Sequence, residues 1–260
     1  MSTDFGIIST VEDAAKLIES INGHAPINEA QDLYDHSDDA LEFEDYINRR
    51  MNHEPTAYIT NHCRFRNLDL YIDERVLVPR TETEPLVEIA VEELPKGASV
   101  IDVGTGSGEV ALAVKNERHD LIVAGSDIST DALDVAAINS DRLGIKIDLF
   151  KADLLDGVKK EFNAVLANLP YLPITKRDQY EPEMVEHEPQ VALWGGEDGY
   201  DLIRRLLQHT QTRKGIQFIA LEIGLDQEAD VCDLVRAAGF PTVFCTTDKR
   251  GDIRAVIGKR

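Results

Sequence analysis

Two patterns of apolar and polar positions divide the chain. Across residues 1–54 the apolar positions of TVEDAAKLIESI and DDALEFEDYINRRM recur at three and four, with Leu41, Tyr46 and Ile47 forming one stripe, which predicts two amphipathic helices. Between them NGHAPINEAQDLYDHSD carries turn residues and reads as a connection. AYITNHCRFRNLDLYIDERVLVP then changes to strand-like content and predicts a hairpin over 55–80. From residue 81 strands and helices alternate. TETEPLVEIAVEEL is a helix, with Thr81 and Glu84 spaced as a capping box and Pro85 in the first turn, where its missing N–H costs little. SVIDV, LIVAGSD, IDLFKAD, NAVLANL and IQFIALEI are strands. GEVALAVKNE, STDALDVAAINSDRLG, GYDLIRRLLQHTQ and DQEADVCDLVRAAG are helices, the second opened by Ser129 or Thr130. TVFCTT and IRAVIG follow with only the turn DKRGD between them. Alternation of this kind predicts an α/β fold with a doubly wound, Rossmann-like, mostly parallel sheet over 81–260. The last two strands make an antiparallel hairpin at its edge, a sheet of seven in all, and a small helical module precedes it.

Composition narrows the class. The 260 residues, 43% hydrophobic, are enough for one large core plus a small module. No apolar run approaches the length of a membrane span and the first residues lack the basic and apolar regions of a signal peptide, so a soluble, cytoplasmic protein is expected, with no membrane partner. Cys63, Cys232 and Cys245 are odd in number and without metal-ligand spacing, which predicts reduced thiols and no bound metal. His62 and Cys63 are neighbours on a strand and point to opposite faces, so they read as structural. A net charge of −21 repels phosphate backbones and argues against a nucleic-acid substrate.

The candidate chemistry lies at strand ends. In VIDVGTGSGEV, Gly104, Gly106 and Gly108 leave a strand and open a helix, so the backbone turns tightly and a ligand can approach without meeting a Cβ. The spacing is G-x-G-x-G with Asp102 before it, which favours S-adenosylmethionine (SAM) over a dinucleotide, because an acid beside a glycine-lined turn can receive an ammonium group. Asp127 ends the next strand, placed for ribose hydroxyls, and Asp153 with Leu154 ends the third, placed for an adenine. NLPY ends the fourth. A planar amino nitrogen is a poor nucleophile, and two acceptors gripping its hydrogens would hold it in line and stabilise the positive charge that develops on it. The Asn168 side-chain oxygen and the Leu169 carbonyl are those acceptors, Pro170 fixes the turn, and Tyr171 offers a ring face to a flat group. Arg80 is expected to touch substrate or the following loop, or to pair with a nearby glutamate. Trp194 is expected to pack the irregular stretch 174–199, which reads as a lid, or to line the substrate groove, with packing favoured, and Glu222 to be solvated or paired with an arginine.

Together FEDYINRRMNHEPTAYI, VLVPRTETEPLVE, DVGTGSG, GSDIS, NLPY, EPQVALWGGEDG and LEIGLDQ resemble the release-factor glutamine methyltransferases, in order from about residue 42 to the C-terminus. The resemblance implies methyl transfer from SAM to the side-chain amide nitrogen of the glutamine in a release factor's Gly-Gly-Gln loop, with an N-terminal helical domain that helps to hold the factor. It implies that Gly104, Thr105, Gly106, Ser107, Gly108, Asp127 and Leu154 contact SAM, that Asn168 touches both SAM and substrate, and that Asn168 to Tyr171 hold the glutamine. Three departures stand out. Leu169 replaces the family's proline but keeps the carbonyl, Thr81 replaces a proline, and the N-terminal region is shorter and more acidic. NLPY is also carried by ribosomal-RNA adenine dimethyltransferases, so an adenine-N6 methyltransferase is the alternative enzyme, and a non-catalytic SAM-binding module the alternative outside catalysis.

Overall fold

A computed structural model describes residues 10–22 and 26–260. Three helices, α1 (Val11–Asn22), α2 (Pro26–Asp35) and α3 (Ala40–Met51), are followed by a short one, α4 (Thr56–Thr60), and by a two-stranded antiparallel hairpin, β1 (Cys63–Phe65) and β2 (Leu68–Leu70). The helix α2 stands where the sequence reads as a connection. Its apolar positions Ile27, Ala30 and Leu33 do repeat at helical spacing, and Pro26 occupies the first turn, where a proline opens a helix rather than breaking it. TAYIT is likewise a helical turn and not a strand. Asn61 ends it in the left-handed conformation at φ 52°, and only then does the hairpin begin.

The main sheet has seven strands: β3 (Ser99–Val103), β4 (Ile122–Asp127), β5 (Asp148–Lys151), β6 (Ala164–Ala167), β7 (Phe218–Glu222), β8 (Thr242–Thr247) and β9 (Ile253–Lys259). Their order is β5-β4-β3-β6-β7-β9-β8. The first five are parallel, and β9 lies antiparallel between β7 and β8, as the closing hairpin predicts. Helices α5 (Glu84–Glu93), α6 (Glu109–Glu117) and α7 (Thr130–Leu143) cover one face, and α9 (Asp201–Thr212) and α10 (Glu228–Ala237) the other. The short α8 (Pro182–His187) lies in the stretch between β6 and α9. Alternation along each strand feeds both cores: Val100 joins Leu86, Val110 and Val135, while its neighbour Ile101 joins Leu206, Ile219 and Val231. The hairpin residues Phe65, Leu68 and Leu70 belong to the first of these cores. Ala14, Ile18, Leu33, Phe43, Ile47 and Ile59 form a separate small one.

The capping box does not form. Thr81–Thr83 is a single 3-10 turn, α5 starts at Glu84, and the Thr81 hydroxyl donates to Glu82 instead. In contrast, Ser129 does cap α7, accepting from the Ala132 N–H at 3.2 Å. The chain reverses its direction of travel across the sheet between β3 and β6, which opens a crevice beyond their carboxyl ends.

Candidate active site

A cleft of about 170 Å³, partly open to solvent, occupies that crevice. Gly104, Thr105, Gly106, Asp127, Asp153, Leu154, Asn168, Leu169 and Pro170 all line it, so residues from four strand ends converge as the sequence places them. Ser107, Gly108, Arg80 and Tyr171, also expected at the site, do not line it.

The glycine turn is held by its neighbours. Gly104 and Thr105 both donate N–H groups to the Ser126 carbonyl of β4, at 2.8 and 2.9 Å. Gly106 N–H donates to Asp127 Oδ2 at 3.0 Å, and the other carboxylate oxygen accepts from Ser129 N–H at 2.9 Å, so the acid at the end of β4 is preset by the loop it faces. Gly104 has φ 76°, and a Cβ there would come within 3.1 Å of Leu169 Cδ2, which is why the glycine turn and NLPY can lie side by side. Leu154 holds a left-handed φ of 57° while it is buried at the cleft wall, and Asp153 pairs with Arg205 at 2.7 Å.

Two buried acids face the same space. Asp102 accepts from the Thr105 hydroxyl at 2.6 Å, and Glu109 from the Ser107 hydroxyl at 2.7 Å. Burial pushes Asp102 up to about 7 and Glu109 up to about 8, the latter also through the charge of Asp102. Sequence reasoning missed Glu109, which looks like an ordinary acid in a first helical turn. It also missed Asn139 of α7, fully buried, which receives Tyr71 N–H at 2.7 Å and donates to the Tyr71 and Ser107 carbonyls at 3.0 Å each, joining hairpin to glycine turn. An Asn within a helical pattern gives no signal for that role.

At the other wall, Asn168 Nδ2 donates to Thr83 Oγ1 at 3.1 Å, leaving its Oδ1 as the available acceptor. The Tyr171 hydroxyl donates to Glu222 Oε1 at 3.2 Å, and its carbonyl accepts from Gln227 Nε2 at 3.0 Å. Glu222 is therefore neither solvated nor ion-paired as expected: it is 3% exposed, and burial raises its carboxyl to about 7. The stretch 174–199 folds back over this turn through Leu172 N–H to Leu193 carbonyl at 3.2 Å and Gly195 N–H to Leu172 carbonyl at 3.0 Å. A Cβ on Gly195 would reach the Pro170 carbonyl at 2.4 Å, and one on Gly199 the Tyr171 carbonyl at 2.3 Å, so WGGEDG is the shape that fits against NLPY. Arg80 pairs with Glu188 of this stretch and donates to the Val78 carbonyl. Trp194 packs near Tyr180 and Arg177 and donates to Gln190 at 2.8 Å.

Among the described residues Asp32, His36 and His62 offer metal-ligand atoms within 4.8 Å of one another, away from the cleft. One ring nitrogen of each histidine has a partner: His36 Nδ1 meets the Asp32 carbonyl at 2.8 Å, and His62 Nε2 meets Asp69 at 2.9 Å. All three cysteines are free, with Cys232 and Cys245 sulfurs 3.6 Å apart.

A family model described as methyltransferase small domain matches residues 82–197. The release factor glutamine methyltransferase of Koribacter versatilis is 34% identical, covering 86% of this chain and 81% of that protein, and the one of Caulobacter vibrioides is 34% identical over 98% and 91%. Among solved structures, a methyltransferase from Pyrococcus furiosus superposes with a TM-score of 0.56 at 16% identity, covering 83% of this chain and 98% of that one. The hMettl16 catalytic domain in complex with MAT2A 3'UTR hairpin 1 does so with 0.60 at 14%, covering 93% and 90%. At these identities the two structures show a shared fold and no more.

Proposed function

The chain belongs to the family of release factor glutamine methyltransferases, and on that premise we propose that it transfers the methyl group of SAM to the side-chain amide nitrogen of the glutamine in a release factor's Gly-Gly-Gln loop. The observation that carries the reading is Asn168, whose Nδ2 is committed to Thr83 while the residue lines the cleft, so that an oxygen is left to accept.

The cleft suits SAM in the chemistry of its donors. Asp127, already fixed by Gly106 and Ser129, keeps lone pairs for ribose hydroxyls. Leu154 gives an apolar wall for adenine, and the buried Asp102 and Glu109 supply negative charge for an ammonium group. SAM, when bound, supplies an electrophilic methyl on a positively charged sulfur. The chain's own part is to hold the nucleophile. Asn168 Oδ1 and the Leu169 carbonyl accept the two hydrogens of the glutamine –NH₂, fix the direction of its lone pair, and stabilise the cationic nitrogen that methylation creates. That nitrogen then loses a proton to solvent, so no residue needs to act as a strong base. Pro170 sets the carbonyl's direction, and Tyr171, anchored to Glu222 and Gln227, braces the turn from behind.

The test is transfer of labelled methyl from SAM to a purified release factor, beside its Gln→Ala loop variant and an unmodified ribosomal RNA, with Asn168→Ala as the enzyme control. Label on the factor that is lost in both variants supports the reading. Label on RNA alone refutes it, and SAM binding with no label anywhere would mean a binding module.

A further inference from the structure

The clamp needs the oxygen end of Asn168, yet the two ends of a side-chain amide have nearly the same shape. Only the hydrogen bonds around an amide decide which end faces which way. Asn168 has one such neighbour on its protein side, Thr83, at 3.1 Å from Nδ2. Thr83 is fully buried in the turn before α5, and its hydroxyl also faces the carboxylate of Glu222, where it stabilises the ionised form. Tyr171 occupies Oε1 of that carboxylate, and Oε2 is buried with no hydrogen-bond partner, an open acceptor beside the Thr83 hydroxyl.

A hydroxyl has a single proton. If it is directed at Glu222, Thr83 has only lone pairs left for its other neighbour, and that neighbour must present an N–H. We propose that Glu222, acting through Thr83, is a positioning residue that sets the orientation of the Asn168 amide, so that its oxygen and not its nitrogen meets the substrate. The proposal rests on the clamp reading above and adds to it the device that decides the polarity of the clamp. An ionised carboxylate can only accept, so the wiring is unidirectional. A protonated Glu222 can donate to Thr83, which frees the Thr83 proton to turn toward Asn168 and lets the amide reverse. The charged and titratable groups around Glu222 are Tyr171 after β6, Glu82 beside Thr83, Arg254 on β9 and Glu109 on α6. Among them Arg254 favours the ionised form and Glu82 opposes it.

Steady-state methyl transfer to a release factor and calorimetric SAM binding, measured on the full chain, separate the possibilities. Thr83→Val removes the wire at nearly constant volume and is expected to lower kcat by about tenfold or more while SAM affinity stays within about twofold. Thr83→Ser restores the hydroxyl and is expected to recover most of the loss. In the unsubstituted protein kcat falls as pH drops through the titration of Glu222 near 7, and Glu222→Gln, which cannot titrate, removes that limb as well as lowering kcat. Thr83→Val turning over at the full rate while Asn168→Ala is inactive would overturn the proposal and leave the clamp standing, as would Thr83→Ser being as impaired as Thr83→Val. Should Thr83→Val fail to fold, the Glu222→Gln profile decides alone, and an unchanged acid limb would sink the idea. An active Asn168→Ala would instead remove the clamp on which the proposal rests.

Discussion

At the scale of single residues the site is a set of acids kept from water. Asp102 and Glu109 bind their protons more tightly in the folded chain than in the unfolded one, because burial penalises the charged form. The ligand-free protein therefore loses stability as pH climbs from the ordinary carboxylate range to about 8. A ligand carrying an ammonium group reverses this preference and must expel protons to bind below those values. SAM affinity is accordingly expected to rise between pH 6 and 8.5, by up to about tenfold per pH unit for each proton released. Calorimetry in two buffers of different ionisation enthalpy checks it, and Glu109→Gln should weaken the dependence. A flat affinity with no proton release would mean that neither acid faces the cofactor. Asp127, Asp153 and Asn168 were legible in the sequence because each closes a strand. Glu109, Thr83 and Glu222 were not, since what they do depends on burial and on partners far along the chain, and no local pattern records either.

At the scale of elements, one turn is shaped by another. NLPY leaves β6 and is backed by WGGEDG, whose Gly195 and Gly199 sit where any side chain would strike the carbonyls of Pro170 and Tyr171. Gly195→Ala should push Pro170 and with it the Leu169 carbonyl out of register, and a misplacement of about 1 Å in such a group costs about a hundredfold in kcat. Methyl-transfer kinetics read this directly, and a variant within twofold of the normal rate would show that the turn is braced elsewhere. The seven strands and their helices could be read from periodicity because apolar spacing and glycine punctuation agree from residue 81 onward. Before that point the signals conflict. Pro26 and its polar neighbours hide the helix α2, and the β-favouring Tyr58 and Ile59 hide the helical turn α4, whose shape is set by packing onto the module and the sheet.

At the scale of the whole molecule, the helical module and the stretch over the site are joined at Arg50. It is 1% exposed and pairs with Glu29 of α2 at 2.5 Å and with Glu183 of α8 at 2.8 Å. His187 of α8 adds a contact to the Asn52 carbonyl at 3.1 Å. Breaking a fully buried ion pair costs about 3–5 kcal/mol, and because Glu29 and Glu183 keep some exposure to solvent, Arg50→Ala should lower unfolding free energy by less, about 1–3 kcal/mol, in urea titration. It should also raise KM for the release factor more than it changes SAM affinity, because α8 loses its tie. Unchanged stability would show the pairing to be incidental. The charge of −21 fits a protein substrate better than a nucleic acid, because the arginines lining the cleft are already matched, Arg75 with Asp73 at 2.6 Å and Arg205 with Asp153 at 2.7 Å. What joins the three scales is a single modified atom. Tandem mass spectrometry of a release factor incubated with SAM and this protein tests it most directly. The account predicts one added methyl group on the side-chain nitrogen of the Gly-Gly-Gln glutamine, absent when the enzyme carries Asn168→Ala. Methylation at any other residue, or at that glutamine with the Asn168→Ala enzyme, would contradict it.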